Sequence, residues 1–176
     1  MAQVAPKRIC LTGPESTGKT ELAEFLSRHF DAPWSAEYAR EYAEAHAELT
    51  ADDVEPIARG EIALLDRAIG EARDVVIHDT DLLSTVVYAR HYYGACPAWI
   101  EAEARARRAD RYLLLDTDIE WIADAARDSG GDAREDLFDA FRAALDEFEC
   151  EWTIVSGERA ERERTAVALV VGYAAT

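Results

Sequence analysis

A chain of 176 residues with 49% hydrophobic content and aromatics along its whole length suits one folded domain with its own core, and excludes disorder. Its formal net charge of −17 argues against nucleic acid and anionic membrane as partners, since both would repel it at long range. Cys10, Cys96 and Cys150 are odd in number and far apart, which indicates neither a disulfide framework nor a zinc site; with no signal-like N-terminus and no apolar run near the roughly 20 residues of a membrane span, a reducing cytoplasm is expected.

The first predicted element is a strand over Lys7 to Thr12. It leads into Gly13-Pro14-Glu15-Ser16-Thr17-Gly18-Lys19-Thr20, which meets G-x-x-x-x-G-K-[ST] at each fixed position. Helical spacing over Glu21 to Phe30 follows, so the motif stands between a strand and a helix, the context of a phosphate-binding P-loop. Gly13 and Gly18 permit the turn that aims successive N–H groups at an anion, and the helix N-terminus adds partial positive charge at the same point. Pro14 has no N–H, so the cradle rests on Glu15, Ser16, Thr17, Gly18, Lys19 and Thr20. Lys19 would neutralise the β- and γ-phosphates of ATP, and the Thr20 hydroxyl is placed to ligate Mg²⁺. Lysine is scarce in this chain, Lys7 and Lys19 alone, yet one stands where the motif needs it.

A second strand is predicted over Ala32 to Glu37. Glu37 ends it and Arg40 follows at helical spacing, so the two could hold a hydroxylated or ionic substrate, or form an ion pair within their own helix. Trp34, Tyr38, Tyr42, Tyr88, Tyr92 and Tyr93 supply aromatic faces on which a planar ring could stack, although single aromatics more often serve the core. A helix over Asp53 to Glu71 precedes a third strand over Asp74 to Asp79. Its hydrophobic run ends in an acid, as a Walker-B strand does, which makes Asp79 a candidate for the Mg²⁺ shell. Asp81 could accept the proton of the substrate hydroxyl, bind a sugar hydroxyl, or cap the next helix.

The fourth strand is predicted over Arg111 to Asp116. Beyond it, residues 121–134 place Arg127 and Arg134 on either side of Gly130-Gly131, the pattern of a hinged lid whose arginines meet the transferring phosphoryl group on closure. A helix over Asp132 to Phe148 and a fifth strand over Trp152 to Ser156 complete the series. His29, His46, His78 and His91 form no ligand-spaced cluster. Alternating strands and helices predict one α/β domain over residues 1–176, a parallel sheet covered on both faces, with the ligand beyond the carboxyl ends of the strands.

In order, GPESTGKT, AEYAREYAE, DTDLLSTVVYARHYYG and LLLDTDIEWIADAARD make the chain resemble the nicotinamide riboside kinase domain of NadR-type proteins, from about Arg8 to Arg164. The resemblance implies a three-layer P-loop NTPase fold, nucleoside-monophosphate-kinase-like, with five parallel strands in the order 2-3-1-4-5. It implies transfer of the ATP γ-phosphate to the 5′-hydroxyl of nicotinamide riboside. By that likeness Gly13 to Thr20 hold ATP, Thr20 and Asp79 serve Mg²⁺, Glu37, Tyr38, Arg40 and Asp81 line the acceptor side, Arg127 and Arg134 act from the lid, and Gly157 lies near adenine. Because the chain starts almost at its first strand, the adenylyltransferase domain that precedes the kinase in bifunctional NadR proteins is expected to be missing. The alternatives are a kinase for another nucleoside or hydroxylated metabolite, and a regulatory nucleotide-binding ATPase with no acceptor.

Overall fold

The computed structural model describes residues 5–46, 48–119 and 132–174. In chain order the elements are β1 (Lys7–Thr12), α1 (Lys19–Phe30), β2 (Trp34–Ser35), α2 (Tyr38–Glu44), α3 (Val54–Glu71), β3 (Val75–Asp79), α4 (Leu82–Tyr93), α5 (Ala98–Ala106), β4 (Arg111–Leu115), α6 (Asp132–Glu147), β5 (Trp152–Val155) and α7 (Arg159–Ala174). The five strands form one parallel sheet in the order β2-β3-β1-β4-β5. This is the P-loop NTPase arrangement, with β1 at its centre.

Side-chain alternation along the strands separates two cores. Ile9, Leu11, Ile77, Leu113, Leu115 and Val155 face α1 and α7, meeting Leu22, Leu26 and Val170. Cys10, Tyr112 and Leu114 face the opposite side, meeting Leu82 and Val86 of α4, Phe141 of α6 and Phe148 just after it. Three layers result, and each large side chain withdrawn from water contributes about 1.5–3 kcal/mol of apolar burial. Among the described residues no helix is long and apolar enough to cross a membrane.

Two boundaries differ from expectation for local reasons. The second strand shrinks to Trp34–Ser35, paired with Ile77 and His78. Pro33 has no N–H to give a ladder, and Glu37 is already the N-cap of α2, so the edge strand has little room. Helix α1 begins at Lys19 rather than Glu21, because left-handed Gly18 (φ 80°) caps it. Lys19 and Thr20 therefore sit in the first helical turn, with their N–H groups among those the helix leaves unpaired.

Candidate active site

The carboxyl ends of β1, β3 and β4 converge on the loop from Gly13 to Thr20. Gly13 has φ 129°, and a Cβ there would lie 3.0 Å from the Leu115 carbonyl oxygen, so only glycine lets the loop lie against the end of β4. The loop closes around one carbonyl: Thr17 Oγ1 donates to Pro14 O at 2.9 Å and Lys19 Nζ donates to it at 2.6 Å. Glu15 turns sideways to α4, where its Oε2 accepts from the Tyr88 hydroxyl at 2.7 Å.

Across the loop, Thr20 Oγ1 donates to Asp79 Oδ2 at 2.6 Å. Asp79 is 1% exposed, and its other oxygen, Oδ1, has no hydrogen-bond partner among the described residues. Burial pushes its pKa up to about 6, with nearby Lys19 partly offsetting the rise. A buried carboxylate with one free oxygen beside a hydroxyl is a set of hard oxygen donors. Such a set suits Mg²⁺, which takes few protein ligands and keeps waters and phosphate oxygens.

Thr80 holds a left-handed conformation (φ 72°), with its N–H on Leu11 O at 2.9 Å. The turn sends Asp79 and Asp81 to different partners. Asp81 Oδ1 caps α4 by accepting from Leu83 N at 2.9 Å, and Oδ2 accepts from the Tyr112 hydroxyl at 2.5 Å. Both oxygens are engaged and the residue is 5% exposed. This geometry is the helix-cap reading of Asp81, with its carboxylate also anchoring Tyr112 in the core. Asp81→Ala is expected to lower unfolding free energy by about 1–3 kcal/mol in denaturant titration, because a cap is lost and a buried hydroxyl is orphaned. Unchanged stability with lost turnover would instead assign Asp81 to the chemistry.

Beside the P-loop, α2, α3 and α4 enclose a groove whose walls include Glu37, Glu61, Thr80, Ser84, Tyr88 and Tyr92. Glu37 pairs with Arg40 at 3.8 Å, one helical turn away, and Arg40 is half exposed. Tyr38 does not join this wall. Its ring lies on Gly60, where a Cβ would fall 2.0 Å from Tyr38 Cε1, and its backbone N–H donates to Glu61 Oε2 at 3.1 Å. For Tyr38 the core reading of a single aromatic describes what is seen: the ring packs α2 onto α3.

Arg134 stands on α6, 5% exposed, and donates to the carbonyls of Ser16 at 2.9 Å and Ile119 at 3.1 Å. It thus braces the P-loop backbone instead of standing free on a lid. Arg127 and the Gly130-Gly131 hinge lie outside the described residues. Gly157 (φ 93°) forms the β5–α7 turn, its N–H on Asp118 Oδ2 at 2.6 Å. Next to it is a second groove, lined by Thr17, Gly18, Ile119, Arg159 and Arg162.

Two residues at the site were not anticipated. Arg162, 4% exposed, donates to Thr17 O at 2.9 Å, Gly157 O at 2.6 Å and Asp116 O at 3.0 Å, and pairs with Asp118. It ties the P-loop to the ends of β4 and β5. Glu61 shares the helical stripe of Ile57 and Leu65, so a charge on a buried face was its available signal. Arg162 shares its own stripe with buried Ala166 and Val170 in the same way.

Comparison with known proteins agrees with this layout. The family described as an AAA domain matches residues 8–162. The trifunctional NAD biosynthesis/regulator protein NadR of Salmonella typhimurium is 28% identical over 137 residues, 75% of this chain and 33% of that protein. NadR of Escherichia coli K12 is 28% identical over 129 residues, 70% of this chain and 32% of its own. The chain thus spans about a third of the curated relatives it matches. A crystal structure of NadR in complex with NR superposes with TM-score 0.81 at 28% identity, covering 99% of this chain and 53% of that one. NadR with NAD and AMP-PNP gives 0.78 at 27% identity, covering 98% and 50%. Thymidylate kinase from Ehrlichia chaffeensis shares the fold, with TM-score 0.68 at 13% identity over 94% of this chain and 99% of that one.

Proposed function

Because the chain belongs to the AAA domain family matched over residues 8–162 and has the NadR-like P-loop kinase fold, we propose that it transfers the γ-phosphoryl group of ATP to the 5′-hydroxyl of nicotinamide riboside. The observation that carries this reading is the 2.6 Å bond from Thr20 to Asp79, which sets the P-loop against a strand-end acid at the edge of an acid-lined groove. The solved NadR complexes with NR and with AMP-PNP support the choice of the two ligands.

The loop amides and Lys19 hold the β- and γ-phosphates, with α1 directing its positive end at them. Thr20 and Asp79 would hold Mg²⁺, which when bound neutralises charge on the phosphate oxygens. Arg134 and Arg162 keep the loop curved by taking up the Ser16 and Thr17 carbonyls, so its N–H groups stay turned inward. Glu37, at the wall of the groove, is the carboxylate placed to orient the acceptor hydroxyl and take its proton. The groove flanked by Arg159 and Arg162 takes the nucleoside part of ATP.

A panel of nicotinamide riboside, nicotinic acid riboside and common nucleosides, offered with ATP and Mg²⁺ while ADP release is followed, tests the reading. Nicotinamide riboside is expected to stimulate ADP release most strongly, with one phosphorylated riboside formed per ADP. Greater stimulation by another nucleoside would reassign the acceptor. Release indifferent to every acceptor would make the protein an ATPase.

A further inference from the structure

Glu61 has no part in the chemistry above, yet it carries an unusual burden. It is 2% exposed, lines the groove, and spends Oε2 on the Tyr38 N–H at 3.1 Å. Its other oxygen, Oε1, is buried and among the described residues has no hydrogen-bond partner. An orphaned buried carboxylate oxygen costs free energy unless a ligand completes it. Burial drives the Glu61 pKa well above the usual carboxylate range, and the charges of Asp81, Glu37 and Asp79 drive it further, while the Tyr38 N–H opposes them.

Two further observations give the groove the same electrostatic sense. Its acids Glu37 and Glu61 are joined on the wall by the hydroxyls of Thr80 and Ser84, and Arg40, partly spent on Glu37 at 3.8 Å, brings positive charge to that edge. Of the chain's two lysines, Lys19 faces the P-loop, and Lys7 lies at the other end of β1 with its Nζ over the Tyr173 ring. Tyr88 and Tyr92, on the same wall, stack with centroids 6.0 Å apart and planes 7° apart, which presents aromatic faces suited to a planar cation.

We propose that Glu61 is a specificity-determining residue, which reserves the groove for acceptors whose ring bears positive charge and hydrogen-bond donors and excludes those bearing a carboxylate. This rests on the kinase reading and deepens it. An N-ribosylated pyridine carboxamide is a permanent cation with an amide N–H₂ to offer Oε1. The matching carboxylic acid brings a further acid toward Glu37 and Asp79 and has no N–H to offer Glu61 Oε1, which stays unpaired. Specificity of this kind is steep, because a mismatched partner leaves buried polar groups unpaired.

The test compares kcat/KM for nicotinamide riboside and nicotinic acid riboside in the unaltered protein and in Glu61→Gln, a variant that keeps an oxygen for the Tyr38 N–H. The unaltered protein is expected to favour the carboxamide by about a hundredfold or more. In Glu61→Gln that ratio should shrink by about tenfold or more, with KM for ATP close to unchanged and the melting temperature no lower. A purely packing role would instead move both acceptors together. A ratio indifferent to the substitution overturns the proposal, and so does equal use of the two ribosides by the unaltered protein, without recourse to any variant. If neither riboside nor any nucleoside is phosphorylated while an ATP analogue still binds, the kinase reading itself falls and takes the proposal with it.

Discussion

Replacing Lys19 with alanine is expected to cut phosphoryl transfer by about 10²–10³-fold, with little change in fold. Lys19 lies 7% exposed at the first turn of α1 and reaches back to the Pro14 carbonyl at 2.6 Å, so its charge sits inside the curve of the loop. The γ-phosphoryl group gains negative charge on its oxygens as it moves, and a point charge already in place there needs no reorganisation. The same charge holds down the pKa of Asp79, so its removal also makes that acid harder to ionise. Coupled ADP assay against acceptor concentration measures the loss, and circular dichroism melting checks the fold. Full activity in Lys19→Ala would remove the loop from the mechanism.

Asp79→Asn is expected to lose about 10²-fold in turnover yet to melt about 2–4 °C higher without nucleotide at neutral pH. The two effects have one origin. Asp79 is held at 1% exposure, its Oδ1 without a hydrogen-bond partner among the described residues, and its pKa is pushed up to about 6 in the folded chain. Because that value is raised above the unfolded one, near 3.9, ionised Asp79 works against folding. The penalty is full above about pH 6 and fades as pH falls through 6 toward 4, so this group makes the ligand-free protein more stable on mild acidification. Asparagine keeps an oxygen for the Thr20 hydroxyl and removes the charge. Melting curves between pH 4 and 8 should therefore separate the two proteins most at the alkaline end. A variant that melts lower throughout would mean that Asp79 is an ordinary structural acid.

Much of this is written in the amino-acid sequence, and the exceptions have physical causes. The run Lys7 to Thr12 is the whole of β1, and its neighbours β3 and β4 carry the unbroken apolar runs Val75-Val76-Ile77 and Tyr112-Leu113-Leu114-Leu115 that strands covered on both faces show. The Thr20–Asp79 pairing was legible because both residues hold fixed places relative to a motif and a strand end. How far Asp79 and Asp81 diverge in their partners was less legible. The turn that separates them is a left-handed threonine, Thr80, with no glycine or asparagine to announce it. Glu61 and Arg162 lay on buried helical stripes, but their targets are 23 and 145 residues away in sequence, and periodicity carries no information about such partners. Arg134 was read as a lid residue from its position after paired glycines, whereas helix α6 turns it onto the Ser16 carbonyl.

The central claim is that the loop from Gly13 to Thr20 presents the γ-phosphate to an acceptor lying between Glu37 and Glu61. A crystal structure of the protein with a non-hydrolysable ATP analogue, Mg²⁺ and nicotinamide riboside tests it most directly. The γ-phosphate is expected within hydrogen-bond reach of Lys19 Nζ, with Mg²⁺ on Thr20 and Asp79 and the riboside 5′-hydroxyl pointing at the phosphorus from the groove. A triphosphate bound away from Lys19, or a riboside outside the groove of α2, α3 and α4, would contradict the account.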